Sequence, residues 1–260
     1  MGFVKTQKEL DRYYGLGVRT FPGAKMMGVI FSAEPGITAR LLPPPLEQAD
    51  APGGLIFIAE YPKTNLGPGY REAALFIRCK YRGEAGSHCL SMPITSEPRM
   101  HNGRDVFGFP KKLANIHLER TGAQAHGWVE RYGIRFVEME VTLSGSLPEM
   151  PPMGPTFLFK AMPRIDLAPG FDGPVLLASQ KTEIRPHRVE IGTAELTLRP
   201  SEHDPWVEIG KPEVVAAFCL ESDNTMLPGT ILGEVDPDLF LPHYFKMTDF
   251  HAGDSSGVTS

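Results

Sequence analysis

Two adjacent lysines, Lys111 and Lys112, follow an aromatic-proline step, Phe109-Pro110. Pro110 fixes its own φ and biases Phe109 towards extended backbone, so both lysines leave on an extended segment whose successive side chains point to opposite faces. If one ammonium enters an apolar pocket, the other points elsewhere yet stays close enough to repel it. Burial and a neighbouring cation both lower a lysine pKa, and a neutral amine is a nucleophile towards ketones. The competing reading is solvated surface charge, since lysine is almost never fully buried. The neighbours favour burial: Val106, Phe107, Phe109, Pro110, Leu113 and Ala114 make an apolar collar.

Other groups in reach of such chemistry are fewer. Glu72 opens an apolar run after Gly69-Tyr70-Arg71, where burial would suit it to general acid/base work. As a bare feature it is equally a strand-end carboxylate paired with Arg71 or Arg78. Arg104 and His101 flank the lysines, and the arginine fork fits a substrate carboxylate. Arg104 pairing with Asp105 is the alternative. The eight histidines show no His-x-x-x-His or His-Glu-x-x-His spacing, so no metal site is expected. No nucleotide-binding glycine pattern occurs, and no cofactor is expected.

The segment Gly103-Arg104-Asp105-Val106-Phe107-Gly108-Phe109-Pro110-Lys111-Lys112-Leu113 resembles the active-site segment of the acetoacetate decarboxylase family. In that family the first lysine of Pro-Lys-Lys forms a Schiff base, and the family is itself the standing example of a lysine activated by desolvation or a nearby cation. The resemblance implies Lys111 as nucleophile, Lys112 as the residue that depresses or orients it, and Glu72, in the family's Tyr-x-Glu, as proton relay. Phe107 and Phe109 then border the substrate. Tyr244 lies where some non-decarboxylating relatives place a catalytic tyrosine. Two positions depart from the pattern: the family's substrate-contacting arginine aligns with Ala24 and its second glutamate with Phe57. Arg19 and Glu60 lie nearby, neither in register.

The elements that must position these residues read as mostly strands. Apolar or alternating runs fall at 26–31, 55–61, 72–82, 88–94, 115–120, 127–131, 134–143, 175–184, 189–198 and 214–220. Helices are expected at 8–14 within a peripheral arm, after Ser32 with Pro35 near its start, from Ser96 towards 106 or 107, and at 237–245. Residues 62–69 read as a loop, 83–86 as a hairpin turn, and 148–155 as a long surface loop. This is a mainly β (α+β) chain with no βαβ alternation. The family likeness continues through Phe159-Lys160 with Pro163, residues 178–198 and Ile231-Leu232. It implies an antiparallel closed or nearly closed β-barrel or double sheet with a few flanking helices, and a homo-oligomer. One domain over 1–248 and a disordered tail at 249–260 are expected.

Length and charge bound the partners. The chain has 260 residues with 26 Lys and Arg against 31 Asp and Glu, a formal net charge of −5. That balance argues against nucleic acid and favours a small molecule, which the family resemblance implies is a keto acid. Three cysteines without CxxC spacing fit a reducing cytoplasm, and no apolar run approaches the ~20 residues of a membrane span. The expected function is a Schiff-base-forming lyase that decarboxylates a β-keto acid through an imine and an enamine. One alternative keeps the imine but acts as an aldolase-dehydratase or hydratase on pyruvate-derived keto acids. Another is a non-catalytic small-molecule-binding barrel.

Overall fold

The computed structural model describes residues 2–149 and 153–247, so the tail expected at 249–260 lies outside the described residues. In chain order, α1 (Gln7–Tyr14) precedes β1 (Arg19–Ser32), α2 (Pro35–Leu41), β2 (Glu47–Gln48), β3 (Gly53–Thr64), β4 (Gly67–Tyr81) and β5 (Glu84–Ile94). Next come α3 (Glu97–Asn102), a π-helical turn (Gly103–Phe107), β6 (Lys111–Leu113), β7 (Asn115–Thr121), β8 (Gln124–Arg131) and β9 (Ile134–Ser146). The chain continues with β10 (Thr156–Lys160), β11 (Val175–Gln180), β12 (Thr182–Leu198), β13 (Glu213–Met226), β14 (Thr230–Val235) and α4 (Pro237–Tyr244).

All fourteen strands belong to one sheet in the order β14-β11-β10-β5-β4-β3-β1-β13-β12-β9-β8-β7, with β2 attached to β4 and β6 to β5. Most pairs are antiparallel, but β10 and β6 each run parallel to β5, so the sheet is mixed. The mainly β expectation holds; the closed barrel does not. The path begins at β14 and ends at β7, and no ladder joins those ends among the described residues. The sheet curls instead through side chains. Ile116 of β7, Val129 of β8 and Phe136 of β9 share one core with Met27, Ile56, Ile58 and Leu75 of the central strands.

Strand alternation explains why the central strands read as unbroken apolar runs. On β3, Ile56 and Ile58 face that core, while Phe57, Ala59 and Tyr61 face a second one; on β4, Ala73, Leu75 and Ile77 divide from Ala74 and Phe76 in the same way. Strands buried on both faces have no polar side to display. The second face, which also carries Phe21, Met92 and Phe109, holds the site described below.

Local differences from the sequence reading have physical causes. Residues 62–69 are the turn of a β3–β4 hairpin and not an independent loop, because the ladder persists to Thr64 paired with Gly67. The turn between β4 and β5 falls on Arg82-Gly83, where φ is 50° and 83°, the left-handed pair that suits a two-residue hairpin. Ser32 stays in β1, paired with Glu213, and Glu34 takes the N-cap position of α2. Thr6 caps α1 through a capping box with Glu9. Cys79, Cys89 and Cys219 are buried free thiols. No helix is long and apolar enough to cross a membrane.

Candidate active site

Delivery of the lysines depends on the backbone just before them. Helix α3 runs into the π-helical turn, and Gly108 ends that turn with φ of 84°. A side chain there is excluded twice over, because a Cβ on Gly108 would lie 2.3 Å from the Phe159 carbonyl oxygen. Pro110 then leads into β6, whose Lys111 pairs in register with Met92 and whose Lys112 pairs with Pro93.

Adjacent residues of β6 therefore face opposite sides of the sheet. Lys111, 6% exposed, turns to the face of Met92 and donates a short hydrogen bond to the carboxylate of Glu72, itself 5% exposed. Glu72 reaches this face from β4, in step with Tyr70, Ala74 and Phe76. The Lys111 ammonium also sits 5.9 Å from the Tyr70 ring centroid and 5.7 Å from that of Phe109. Gly103 makes room for it, since a Cβ there would meet Lys111 Cε at 2.4 Å.

The pair faces a cavity of about 140 Å³, bordered by Phe21, Phe57, Tyr61, Met92, Phe107 and Phe109 on its apolar side. Its polar contributors are Arg19, Arg99, Asn102, Gln180, Thr182 and Asn224, and Glu72 is its one carboxylate among the described residues. Burial, and then the Glu72 charge, push the Tyr61 and Tyr70 phenols well above their ordinary values, so both stay protonated. Arg19 is the least satisfied of these groups: its Nε and Nη1 are buried without a hydrogen-bond partner. Its guanidinium rests 5.1 Å from the Tyr13 ring centroid, and Tyr13 in turn accepts a 2.9 Å hydrogen bond from Asn102. Helix α1, expected as a peripheral arm, thus reaches the rim of the site.

Lys112 takes the other face. It donates to the His203 carbonyl and lies 3.3 Å from Asp204, which is 2% exposed and also pairs with Arg131 at 2.8 Å. A second cavity, about 400 Å³, opens there beside Trp206 and Lys246. The expected repulsion of Lys111 by Lys112 is accordingly offset by Asp204.

The remaining candidates separate cleanly. Phe107 and Phe109 border the Lys111 cavity. Arg104 and Tyr244 do not, and Tyr244 packs with Phe171 and Phe240 in the first core. His101 is exposed beside Glu97. Glu60 points to the opposite face of β3 from Phe57 and pairs with Arg71 at 2.8 Å. Ala24 and Phe57, the two positions at which the sequence reading departs from the family pattern, are both buried in the second core. Sequence reasoning missed Asn224, Gln180 and Tyr61, which the β1–β13 and β12–β13 ladders and the neighbouring strands bring to the cavity from distant positions. It also missed Asp204, which no motif marks in the sequence.

Fold and site together define a mainly β protein built round a buried amine in a cavity sized for a small molecule. The chain belongs to the acetoacetate decarboxylase family, whose model matches residues 5–235. It is 27% identical over 221 residues to an acetoacetate decarboxylase of Acidiphilium cryptum, covering 83% of this chain and 89% of that one. It is 25% identical over 226 residues to an acetoacetate decarboxylase of Burkholderia vietnamiensis, covering 84% and 90%. In fold it is similar to the crystal structure of acetoacetate decarboxylase from Legionella pneumophila, with a TM-score of 0.74 at 20% identity over 84% of this chain and 88% of that one. It is similar also to the enduracididine biosynthesis enzyme MppR complexed with pyruvate, with a TM-score of 0.73 at 20% identity over 84% and 91%.

Proposed function

We propose that this protein is a Schiff-base-forming lyase that decarboxylates a small β-keto acid. The observation that carries the reading is the buried Lys111–Glu72 hydrogen bond at the wall of an aromatic cavity. Family membership supports it, as do the curated relatives named for acetoacetate decarboxylation.

The proposed steps use groups already described. Transfer of a proton from Lys111 to Glu72 frees the amine to attack the ketone carbon, giving a carbinolamine. Loss of water, with Glu72 returning the proton to the leaving oxygen, gives a protonated imine. The bond to the carboxylate then breaks, its electron pair moving into the imine to form an enamine as carbon dioxide leaves. Protonation at carbon and hydrolysis of the imine release the ketone and Lys111. Arg19, with two buried N–H groups unused, meets the substrate carboxylate in place of the family arginine, a placement that leaves Ala24 without a role in binding. The surrounding rings exclude water and so strengthen each of these interactions.

A second reading keeps the imine and changes the bond that breaks: an aldolase-dehydratase or hydratase acting on pyruvate-derived keto acids. It is favoured by the single carboxylate of the cavity among the described residues, and by Phe57, stacked on Phe76 with centroids 5.9 Å apart, at the position the resemblance gives to the family's second glutamate. Borohydride reduction after incubation with acetoacetate, and separately with pyruvate, tests both readings. Stable mass added on Lys111 with acetoacetate, accompanied by gas release, is the expected result. Trapping with pyruvate and consumption of an aldehyde without gas favours the second reading, and a folded protein that traps neither leaves a non-catalytic small-molecule-binding role.

A further inference from the structure

The β7–β8 hairpin carries, on its outward face, a constellation that the Lys111 site does not use. Alternation sends Ile116 and Leu118 of β7, and Ala125 and Val129 of β8, into the core. His117 and Glu119 therefore point outward, as do His126 and Trp128. The hairpin register sets Glu119 opposite His126 and His117 opposite Trp128. Two imidazoles that linear spacing keeps apart thus flank one carboxylate.

The distances are those of a ligand set. His117 Nε2 lies 3.3 Å from Glu119 Oε2, and His126 Nδ1 lies 3.6 Å from Glu119 Oε1. One ligand atom from each of the three side chains falls within 4.8 Å of the others. Donors bound at about 2.1 Å to a tetrahedral ion stand about 3.4 Å apart, so only small side-chain rotations are needed to close them on one ion.

The surroundings of His126 add a second argument. Its Nε2 is 3.1 Å from Glu138 Oε1, and Glu138 is held 2.6 Å from Arg199. A neutral imidazole has one N–H to give. Given to Glu138, it turns the Nδ1 lone pair towards the side of Glu119, where an ion would be bound. Carboxylate to histidine to metal is the arrangement that orients a ligating imidazole. Glu140, directly opposite His126 on β9, adds further negative charge, and Trp128 stacks on His117 with centroids 5.4 Å apart and planes at 14°.

We propose that His117, Glu119 and His126 form a binding site for a divalent transition-metal ion such as Zn²⁺, with Glu138 positioning His126. Two imidazoles and one carboxylate select zinc, nickel or copper over calcium or magnesium, and three protein ligands leave a further position open. The ion clips β7, the last strand of the sheet, to β8. It therefore stabilises the folded chain by binding it in preference to the unfolded one.

Calorimetric titration of the chelator-treated full chain with ZnCl₂, with MgCl₂ as control, tests this directly. One zinc per chain and no magnesium are expected, together with a zinc-dependent rise in melting temperature. His117→Ala and His126→Ala lose the one-to-one isotherm and the thermal shift, whereas Glu138→Gln keeps the stoichiometry and weakens binding by roughly 10–100-fold. Quenching of tryptophan fluorescence by Cu²⁺, diminished in Trp128→Phe, is an independent readout. Absence of zinc binding by the parent chain, or zinc binding unchanged in both histidine variants, overturns the proposal.

Discussion

Lys111 and Lys112 are consecutive residues whose ammonium groups meet different carboxylates on opposite faces of one sheet, Glu72 on one side and Asp204 on the other. A pair that reads as two like charges in sequence is thus two separate ion pairs in space. Asp204 also holds Arg131.

This division predicts that Lys112→Met acts mainly on stability. Loss of a buried, charge-assisted hydrogen bond costs about 1.5–3 kcal/mol, read as a lower urea midpoint with an unchanged slope. Borohydride trapping at Lys111 stays within a few-fold of the parent. A hundredfold loss of trapping at unchanged stability would instead show that Lys112 governs its neighbour.

Gly103→Ala makes the opposite separation. The added methyl meets the flexible end of Lys111, at 2.4 Å from Cε, and not fixed backbone. The amine moves aside while the fold persists. Displacement of about 1 Å is enough to cost roughly 10²-fold in rate, and single-turnover imine formation measures it. Unchanged kinetics would remove Gly103 from the positioning of Lys111.

For Arg19, the prediction concerns the charge of the substrate. Arg19→Gln raises KM for a keto acid by roughly 10–100-fold, the weight of a charge-assisted hydrogen bond, and leaves kcat less affected. Reversible imine formation with a neutral ketone such as acetone is unchanged. If acid and neutral ketone suffer alike, Arg19 does not hold the carboxylate.

His88 makes acid sensitivity measurable. It is 2% exposed, its Nδ1 donates to the Phe157 carbonyl at 2.9 Å, and its Nε2 accepts from Lys246 at 2.6 Å. Burial, and then the Lys246 charge, hold its pKa well below 6.5. As pH falls through 6.5 the unfolded chain takes up a proton that the folded chain refuses, so stability declines on acidification by up to ~1.4 kcal/mol per pH unit from this group. Urea midpoints between pH 7 and 5 should fall less steeply for His88→Gln than for the parent. Parallel slopes would exclude His88 as the source.

What was legible in the sequence was local. The Phe109-Pro110 step, the apolar collar and strand alternation were enough to expect Lys111 and Lys112 on opposite faces, while Glu72 beside the first was expected from the family resemblance alone. Hairpins marked by glycine were legible for the same reason. The partner of Lys112 was not, because Asp204 comes from a loop that only the folded chain brings back to β6. Nor was the open sheet: curling through Ile116 and Phe136 buries the same residues that ladder closure would, so the apolar pattern does not distinguish them. Arg19 was in view but out of register, and Tyr244, placed by resemblance, is packed against Phe171 and Phe240 in the first core.

The ladder through β4, β5 and β6 fixes Glu72 and Lys111 by main-chain pairing, while the facing wall of the cavity comes from β1, β12 and β13 through Arg19, Thr182, Ile184, Asn224 and Met226. The proposed reacting pair and the residues of the facing wall therefore sit on separate runs of the chain. Substitutions in the second group can reshape the cavity without disturbing the first, which makes the architecture an adaptable starting point for laboratory evolution: libraries confined to β1, β12 and β13 vary the facing wall around an unaltered Lys111–Glu72 pair.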